Sequence, residues 1–393
     1  MDVKNTPKLN IVMLASGTVH SSLTYRILSI AQQLVMKGHT VTIMAPSCDK
    51  YSGYTKETFT GINGVRIVRP IQFNSRNVII SLLPYLLHAT WKMLWCKADI
   101  IYLYKPTPAT IMGLLPKVLR GTPVVVDMDD LGVEVLKNEQ VSSLFITLIH
   151  WCELLATKYS SSMIVVSSFL CEEYRSKYPK KSITLIPNGT EVDRYQKAAE
   201  GKQIGRKEII VLGAFNKTDF LDPLLTVLPR VIKRASASVH VSVIGNGQCL
   251  DELKEKASTL GIASHLTFVG WITKDMFVQY IHPGDIGYCF TADTRSNRAC
   301  SNQKVFDYMA LGAVPLVSRV GDLPTYVDNG SAGYIANADN EIALEDTLVE
   351  ALSNDSDFNN KQRHVVEWTR SQYDWRILVG QVESELMRLH QMS

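Results

Sequence analysis

Ser301-Asn302-Gln303-Lys304-Val305-Phe306-Asp307-Tyr308-Met309-Ala310-Leu311-Gly312-Ala313-Val314-Pro315-Leu316-Val317 is a polar loop that runs into an apolar helix and then a buried strand. Lys304 and Asp307 stand one helical turn apart, which predicts that they share a face. The first turn of a helix leaves backbone N–H groups without intrahelical partners, and such groups bind anions. The stretch therefore predicts a turn that holds a diphosphate, beside a carboxylate that accepts hydrogen bonds from sugar hydroxyls. A plain helix start with no ligand satisfies the same spacing.

Outward from this stretch the chain alternates short β-branched runs with amphipathic ones. Residues 9–14, 40–44, 65–68, 99–103, 123–126, 163–166 and 183–186 read as strands, with helices predicted over 23–36, 79–96, 109–119, 144–158 and 169–177. Pro187-Asn188-Gly189 and a polar stretch to about Arg206 interrupt the series. It restarts with strands at 208–212, 239–244, 265–269, 285–288, 314–317 and 333–335, and helices at 221–234, 250–259, 275–281, 303–311 and 342–352. Alternation of this kind predicts an α/β protein with two Rossmann-like domains, each a parallel sheet covered on both faces. Open sheets of this type bind ligands at the carboxyl ends of their strands, so both sets of ends are expected to face a central cleft. The expected domains are residues 1–190 and 191–371, with an amphipathic helix over about 372–393 packing back on the first.

Composition narrows the class. The chain has 393 residues, 46% hydrophobic and 20% charged, which is enough apolar surface for two cores and excludes low-complexity disorder. Its seven cysteines are scattered and never spaced as CxxC, which argues against a disulfide framework or a zinc site and for a cytoplasmic setting. The overall charge of +3 hides an asymmetry: residues 1–98 carry 11 basic and 3 acidic side chains. That excess predicts an anionic partner. Nucleic acid is not favoured, because the basic residues are dispersed and no helix-turn-helix, zinc-finger or RRM signature accompanies them. The stretches 79–96 and 144–155 are unusually apolar, and the first holds Tyr85, Trp91 and Trp95 with the cations Arg76, Lys92 and Lys97 around them. Such a mixture suits an anionic membrane surface; packing against a sheet or within a dimer suits it equally.

Lys304-Val305-Phe306-Asp307-Tyr308-Met309-Ala310-Leu311-Gly312-Ala313-Val314-Pro315 resembles the K-x-F-E-Y-M-A-x-G-x-P-V segment of family 4, GT-B-fold, nucleotide-sugar glycosyltransferases. Further segments resemble the family in the same order along the chain. They are Ile186-Pro187-Asn188-Gly189-Thr190, Val243-Ile244-Gly245-Asn246-Gly247, Phe268-Val269-Gly270-Trp271, and Gly321-Asp322-Leu323-Pro324 with Asp328-Asn329-Gly330-Ser331-Ala332-Gly333. The resemblance implies retaining transfer from a nucleotide diphospho-sugar of UDP or GDP type, with no metal and no other cofactor.

Position by position, the resemblance implies donor binding by Ser301, Asn302 and Lys304. Asp307 stands where the family has a ribose-binding glutamate, Lys217 lies in a diphosphate-facing loop, and Trp271 lies in the loop that meets the nucleobase. Ala299 replaces the first acid of the family's E-x7-E variant. Gly17 and His20 follow the first strand, where the family contacts its acceptor. In Asp127-Met128-Asp129-Asp130-Leu131, Asp129 takes the place of a histidine that lies near the transferred sugar, and it is the expected catalytic residue. Asp127 and Asp129 also spell the D-x-D metal motif of GT-A enzymes, a reading set aside because the doubled architecture belongs to the other fold. The expectation is a cytoplasmic glycosyltransferase, peripheral on the inner face of a membrane, acting on a lipid-linked or glycan acceptor. A nucleotide-sugar epimerase of the same fold, a metal-dependent transferase and a non-catalytic subunit are the alternatives.

Overall fold

A computed structural model describes residues 7–17, 25–46, 53–55, 58–74, 78–137, 141–200, 207–215 and 221–393. The chain divides into two compact units, Met1–Pro187 with Trp375–Ser393, and Asn188–Asp374.

The first unit is built on strands β1 (Asn10–Leu14), β2 (Thr40–Met44), β3 (Gly53–Thr55), β4 (Thr58–Ile62), β5 (Val65–Arg69), β6 (Gln72–Asn74), β7 (Ile100–Tyr104), β8 (Val124–Met128), β9 (Ser162–Val165) and β10 (Ser182–Leu185). Eight of them form one sheet in the order β10-β9-β8-β7-β1-β2-β5-β4, parallel except for the β4–β5 hairpin, while β3 and β6 pair separately. Strands β7 and β8 are buried at every position, as parallel strands covered on both faces must be. One face carries helix Tyr25–Met36 and the closing helix Trp375–Gln391, whose Trp375, Leu378, Val379, Val382 and Leu386 are buried at helical spacing. The other face carries the turn Ile111–Leu114, where a Cβ on Gly113 would touch Leu14 and Ile101.

The second unit is a six-stranded sheet made of β11 (Ile209–Gly213), β12 (Val241–Gly245), β13 (Leu266–Gly270), β14 (Ile286–Cys289), β15 (Val314–Ser318) and β16 (Tyr334–Ala336), all parallel. Its order is β13-β12-β11-β14-β15-β16, so the direction of winding reverses between β11 and β14. The two parallel α/β sheets expected from the alternation are therefore present. Among the described residues, two helices of eight or more residues lie where the pattern suggests none, Val192–Ala199 and Asp355–Gln372. The latter buries only Phe358, Val365 and Thr369 of its 18 residues, too sparse a stripe to stand out in a polar sequence.

At the reversal, β11 and β14 pair from Ile209 to Val211 and then part. The Leu212 N–H, which would have continued the ladder, donates instead to the Tyr308 hydroxyl at 2.7 Å. The Tyr308 ring stands against Gly287, where a Cβ would lie 2.4 Å from its Cγ. Helix Gln303–Ala310 thus wedges the two strands apart at the point where sheets of this winding bind ligands. Tyr308→Phe keeps the ring and strands the buried Leu212 N–H, so it should lower unfolding free energy by about 1–3 kcal/mol in urea titration; an unchanged midpoint would mean the hydroxyl carries no such bond.

Candidate functional site

Above Tyr308, one turn toward the helix start, Lys304 lines a small cavity with Gly213, Phe215, Tyr288 and Phe290 at the parted ends of β11 and β14. Asn302 precedes the helix in extended conformation, and its side chain makes no capping hydrogen bond to the first turn. A cation and first-turn N–H groups thus lie together at the switch point of the second sheet.

Asp307 faces elsewhere. Its carboxylate is 2% exposed and accepts from Lys274 Nζ at 2.9 Å, with Thr190, Tyr195 and Gln303 at 3.3–3.4 Å. The expectation that Lys304 and Asp307 work on a shared face is corrected by their contacts: Asp307 turns to Lys274, Tyr195 and Gln303, while Lys304 lines the cavity at the ends of β11 and β14. Ser301 is also committed inward. Its hydroxyl accepts from the Asn188 N–H at 2.9 Å and from Tyr326 at 3.1 Å, while its carbonyl receives the Asn188 amide. Gln303 donates to the Gly189 carbonyl at 2.8 Å. The helix start therefore holds the Asn188–Thr190 segment on one side and presents Lys304 on the other. Trp271, just after β13, is 72% exposed. Lys217 lies outside the described residues. Lys274, which the sequence reading overlooked, follows Trp271 by three residues and supplies the charge that keeps Asp307 buried.

Gly245 and Gly247 have a packing reason. Gly245 has φ +135°, and a Cβ there would fall 1.7 Å from the Gly213 carbonyl oxygen; one on Gly247 would fall 2.3 Å from that of Phe215. The G-x-G turn lets the loop after β12 lie directly on the loop after β11.

In the first unit the winding reverses between β1 and β7. Gly17 lies just beyond the end of β1, and His20 lies outside the described residues. Asp127 and Asp129, on one side of the strand end, have different surroundings. Asp127 is fully buried, 2.8 Å from Arg26 Nε and 2.5 Å from the Tyr102 hydroxyl. Burial opposes the Arg26 charge, but Asp127 outweighs it and holds the guanidinium protonated, with its other nitrogens donating to the Ile186 and Pro187 carbonyls. Asp129 is 16% exposed and accepts from the Tyr104 hydroxyl at 2.7 Å and from Lys105 Nζ at 3.2 Å. Lys105 also meets Asp130 at 2.6 Å, and its backbone is left-handed at φ +52°. Burial works against the Lys105 charge, and the two carboxylates raise its pKa despite it. Tyr104 and Lys105 were legible as the residues ending β7 on the carboxyl side, though no motif marks them. Among the described residues no group of three or more His, Cys, Asp or Glu is placed to hold a metal ion.

Two parallel-sheet units with reversed winding and a cationic helix start define a GT-B fold. Known proteins agree. A sucrose-phosphate synthase from Thermosynechococcus elongatus superposes with a TM-score of 0.74 at 13% identity, covering 98% of this chain and 100% of that one. HepE from Anabaena, solved with UDP and glucose, gives 0.69 at 13% identity over 96% and 99%. A model described as Glycosyltransferase Family 4 matches residues 23–194, and one described as Glycosyl transferases group 1 matches residues 206–354. The chain belongs to glycosyltransferase family 4. A GDP-mannose-dependent alpha-(1-6)-phosphatidylinositol monomannoside mannosyltransferase from Mycobacterium tuberculosis is 23% identical over 237 residues, 55% of this chain and 59% of that one. A glycogen synthase from the same organism is 23% identical over 58% of this chain and 54% of its own. The match thus spans less than two thirds of either relative's length.

Beside Asp130 the Glu153 carboxyl accepts the N–H groups of Gly132 and Val133 at the start of helix Gly132–Lys137. Burial first, and Asp130 second, push it from 4.5 up to about 7. A carboxyl raised in the fold stabilises it fully below the unfolded pKa and loses that contribution as pH rises through the folded one. Relative to Glu153→Gln, the wild type should therefore lose on the order of 2–3 kcal/mol between pH ~4.5 and pH ~8. Denaturant titrations across that range check it, and a constant difference would refute it.

Proposed function

We propose that the protein is a glycosyltransferase that moves a sugar from a nucleotide diphospho-sugar to a lipid-linked or glycan acceptor with retention of configuration. The observation that carries this reading is Lys304 at the parted ends of β11 and β14, beside an uncapped helix start. A departing diphosphate gains negative charge as the glycosidic bond breaks, and a preorganised cation with aligned N–H groups stabilises that charge without reorganisation. The donor residues are Lys304, the backbone at Ser301 and Asn302, Lys217 and Trp271. Asp307 acts through Lys274, whose ammonium it orients. The UDP bound by the Anabaena neighbour and the GDP-mannose named for the mycobacterial relative support a donor of one of these two types.

The first unit takes the acceptor, through Gly17 and His20, and the phosphatidylinositol mannoside in that relative's name favours a lipid-linked one. The same reading places the enzyme in the cytoplasm, peripheral on the inner face of a membrane. Asp129 is the catalytic carboxylate. Held by the Tyr104 hydroxyl and Lys105 Nζ, it is suited to bind sugar hydroxyls or to stabilise positive charge on the reacting sugar.

Thermal-shift titration with UDP, GDP and ADP, followed by turnover, tests the donor site. One nucleotide should stabilise the protein, and Lys304→Ala should weaken it by about tenfold to a hundredfold, the worth of a charged hydrogen bond. Asp129→Asn should leave nucleotide affinity intact and lower kcat by about a hundredfold or more. Failure of all three nucleotides to bind, or full activity in Asp129→Asn, sinks the assignment concerned.

A further inference from the structure

Eleven of the eighteen exposed large apolar side chains among the described residues fall on three helices of the first unit and the turn after one of them. On helix Val78–Leu94 and the turn after it, Leu83, Leu87, Trp91 and Trp95 recur every four residues and are 54–69% exposed. On helix Ser143–Tyr159 a second stripe runs through Leu144, Leu148, Trp151, Leu155 and Tyr159, 39–77% exposed, at spacings of three and four. Helix Leu115–Arg120 adds Val118 and Leu119. All three pack around the turn Ile111–Leu114, so both stripes lie on the same side of the sheet. A water-facing helix shows the reverse pattern, with polar residues outward, and a patch of this extent marks a binding surface.

Charge selects the partner. Helices Val78–Leu94 and Leu115–Arg120 contain no acidic residue, while they contribute Lys92, Lys117 and Arg120. The one acid on Ser143–Tyr159, Glu153, is turned inward to the Gly132 and Val133 N–H groups. Lys158 lies over the Tyr159 ring at 5.2 Å, and Trp91 meets Trp95 edge to face at 5.8 Å. Tryptophan, tyrosine and leucine rimmed by cations match the level of lipid headgroups, where amphipathic rings rest and anionic phosphates attract lysine and arginine. No helix among the described residues is long and apolar enough to cross a membrane.

We propose that the outer faces of Val78–Leu94, Leu115–Arg120 and Ser143–Tyr159 dock the first unit onto the surface of an anionic lipid bilayer. The proposal names the contact surface for the membrane reading above and stands apart from transfer chemistry, because its test contains neither donor nor acceptor. Flotation with phosphatidylglycerol vesicles at low salt should carry the wild type upward, with weaker recovery on phosphatidylcholine or at high salt. Tryptophan emission should shift to the blue on binding. The pairs Leu87→Ser/Trp91→Ser and Leu148→Ser/Trp151→Ser change exposed side chains, and circular dichroism checks that each remains folded. Each pair should weaken vesicle binding by more than about tenfold, since each removes a bulky anchor from the interface. The proposal is overturned if the wild type stays at the bottom of the gradient, or if folded variants float as well. Light scattering that finds a dimer lost in both variants assigns the face to a second copy of the chain instead.

Discussion

The second unit depends on a tyrosine ring held between two strands. A parallel pair runs on until something satisfies its next N–H, and at Leu212 that partner is the Tyr308 hydroxyl. The substitution of one hydrogen bond for another costs little, yet it ends the β11–β14 ladder at its fourth position. It also fixes helix Gln303–Ala310 against the sheet. The helix then has a defined rotation, with Lys304 at the opening and Gln303 and Asp307 toward Asn188–Thr190. Gly287 is required because no side chain fits beneath the ring. The tilted packing of Phe306 against Tyr326 and Tyr373, at 4.8 and 4.9 Å between ring centres, locks the helix from its buried side.

The first unit uses a buried charge for a similar purpose. Arg26 and Asp127 form an ion pair at 2% and 0% exposure, and pairs so deep gain little net stability over apolar residues of the same size. Their value is geometric. The guanidinium spends its remaining donors on the Ile186 and Pro187 carbonyls, so it ties helix Tyr25–Met36, the end of β8 and the end of the unit to one point. Trp375 covers the guanidinium at 5.8 Å, which makes the closing helix part of the same junction. With Asp127 consumed in this way, Asp129 is the next carboxylate on that side that solvent and ligands reach.

Much of this was legible in the sequence because it rests on local rules. Buried parallel strands must be apolar, so β7, β8 and β11 announce themselves, and the glycines of Gly245-Asn246-Gly247 mark a close approach. What stayed hidden were partners supplied from far along the chain. Lys304 and Asp307 share a turn, and spacing alone pairs them; only the packing of Lys274 and Tyr195 turns the carboxylate away. Tyr102 looks like an unremarkable member of a strand until the register Leu103↔Val126 and Tyr104↔Asp127 brings β7 beside Asp127, and Arg26 like an unremarkable member of a helix until that helix packs on the sheet and its guanidinium meets the same carboxylate. Helix Asp355–Gln372 escapes notice for the opposite reason, since three buried positions suffice when the rest faces water.

The surroundings of Asp129 constrain the chemistry under the proposed reading. Retaining transfer on one face forms a bond from the acceptor oxygen to the anomeric carbon as the bond to the diphosphate oxygen breaks, and the acceptor proton must go to a base. The Asp129 carboxylate already accepts from both a phenol and an ammonium. It suits binding and charge compensation better than proton abstraction. The departing diphosphate oxygen becomes more basic as its bond lengthens, and it lies on the side from which the acceptor enters. Lys304 then faces two opposed requirements. It must stabilise the growing charge enough to let the bond break, and it must leave that oxygen basic enough to take the proton. A single lysine and a short helix start meet both better than a divalent cation, which would hold the same oxygen as a far weaker base.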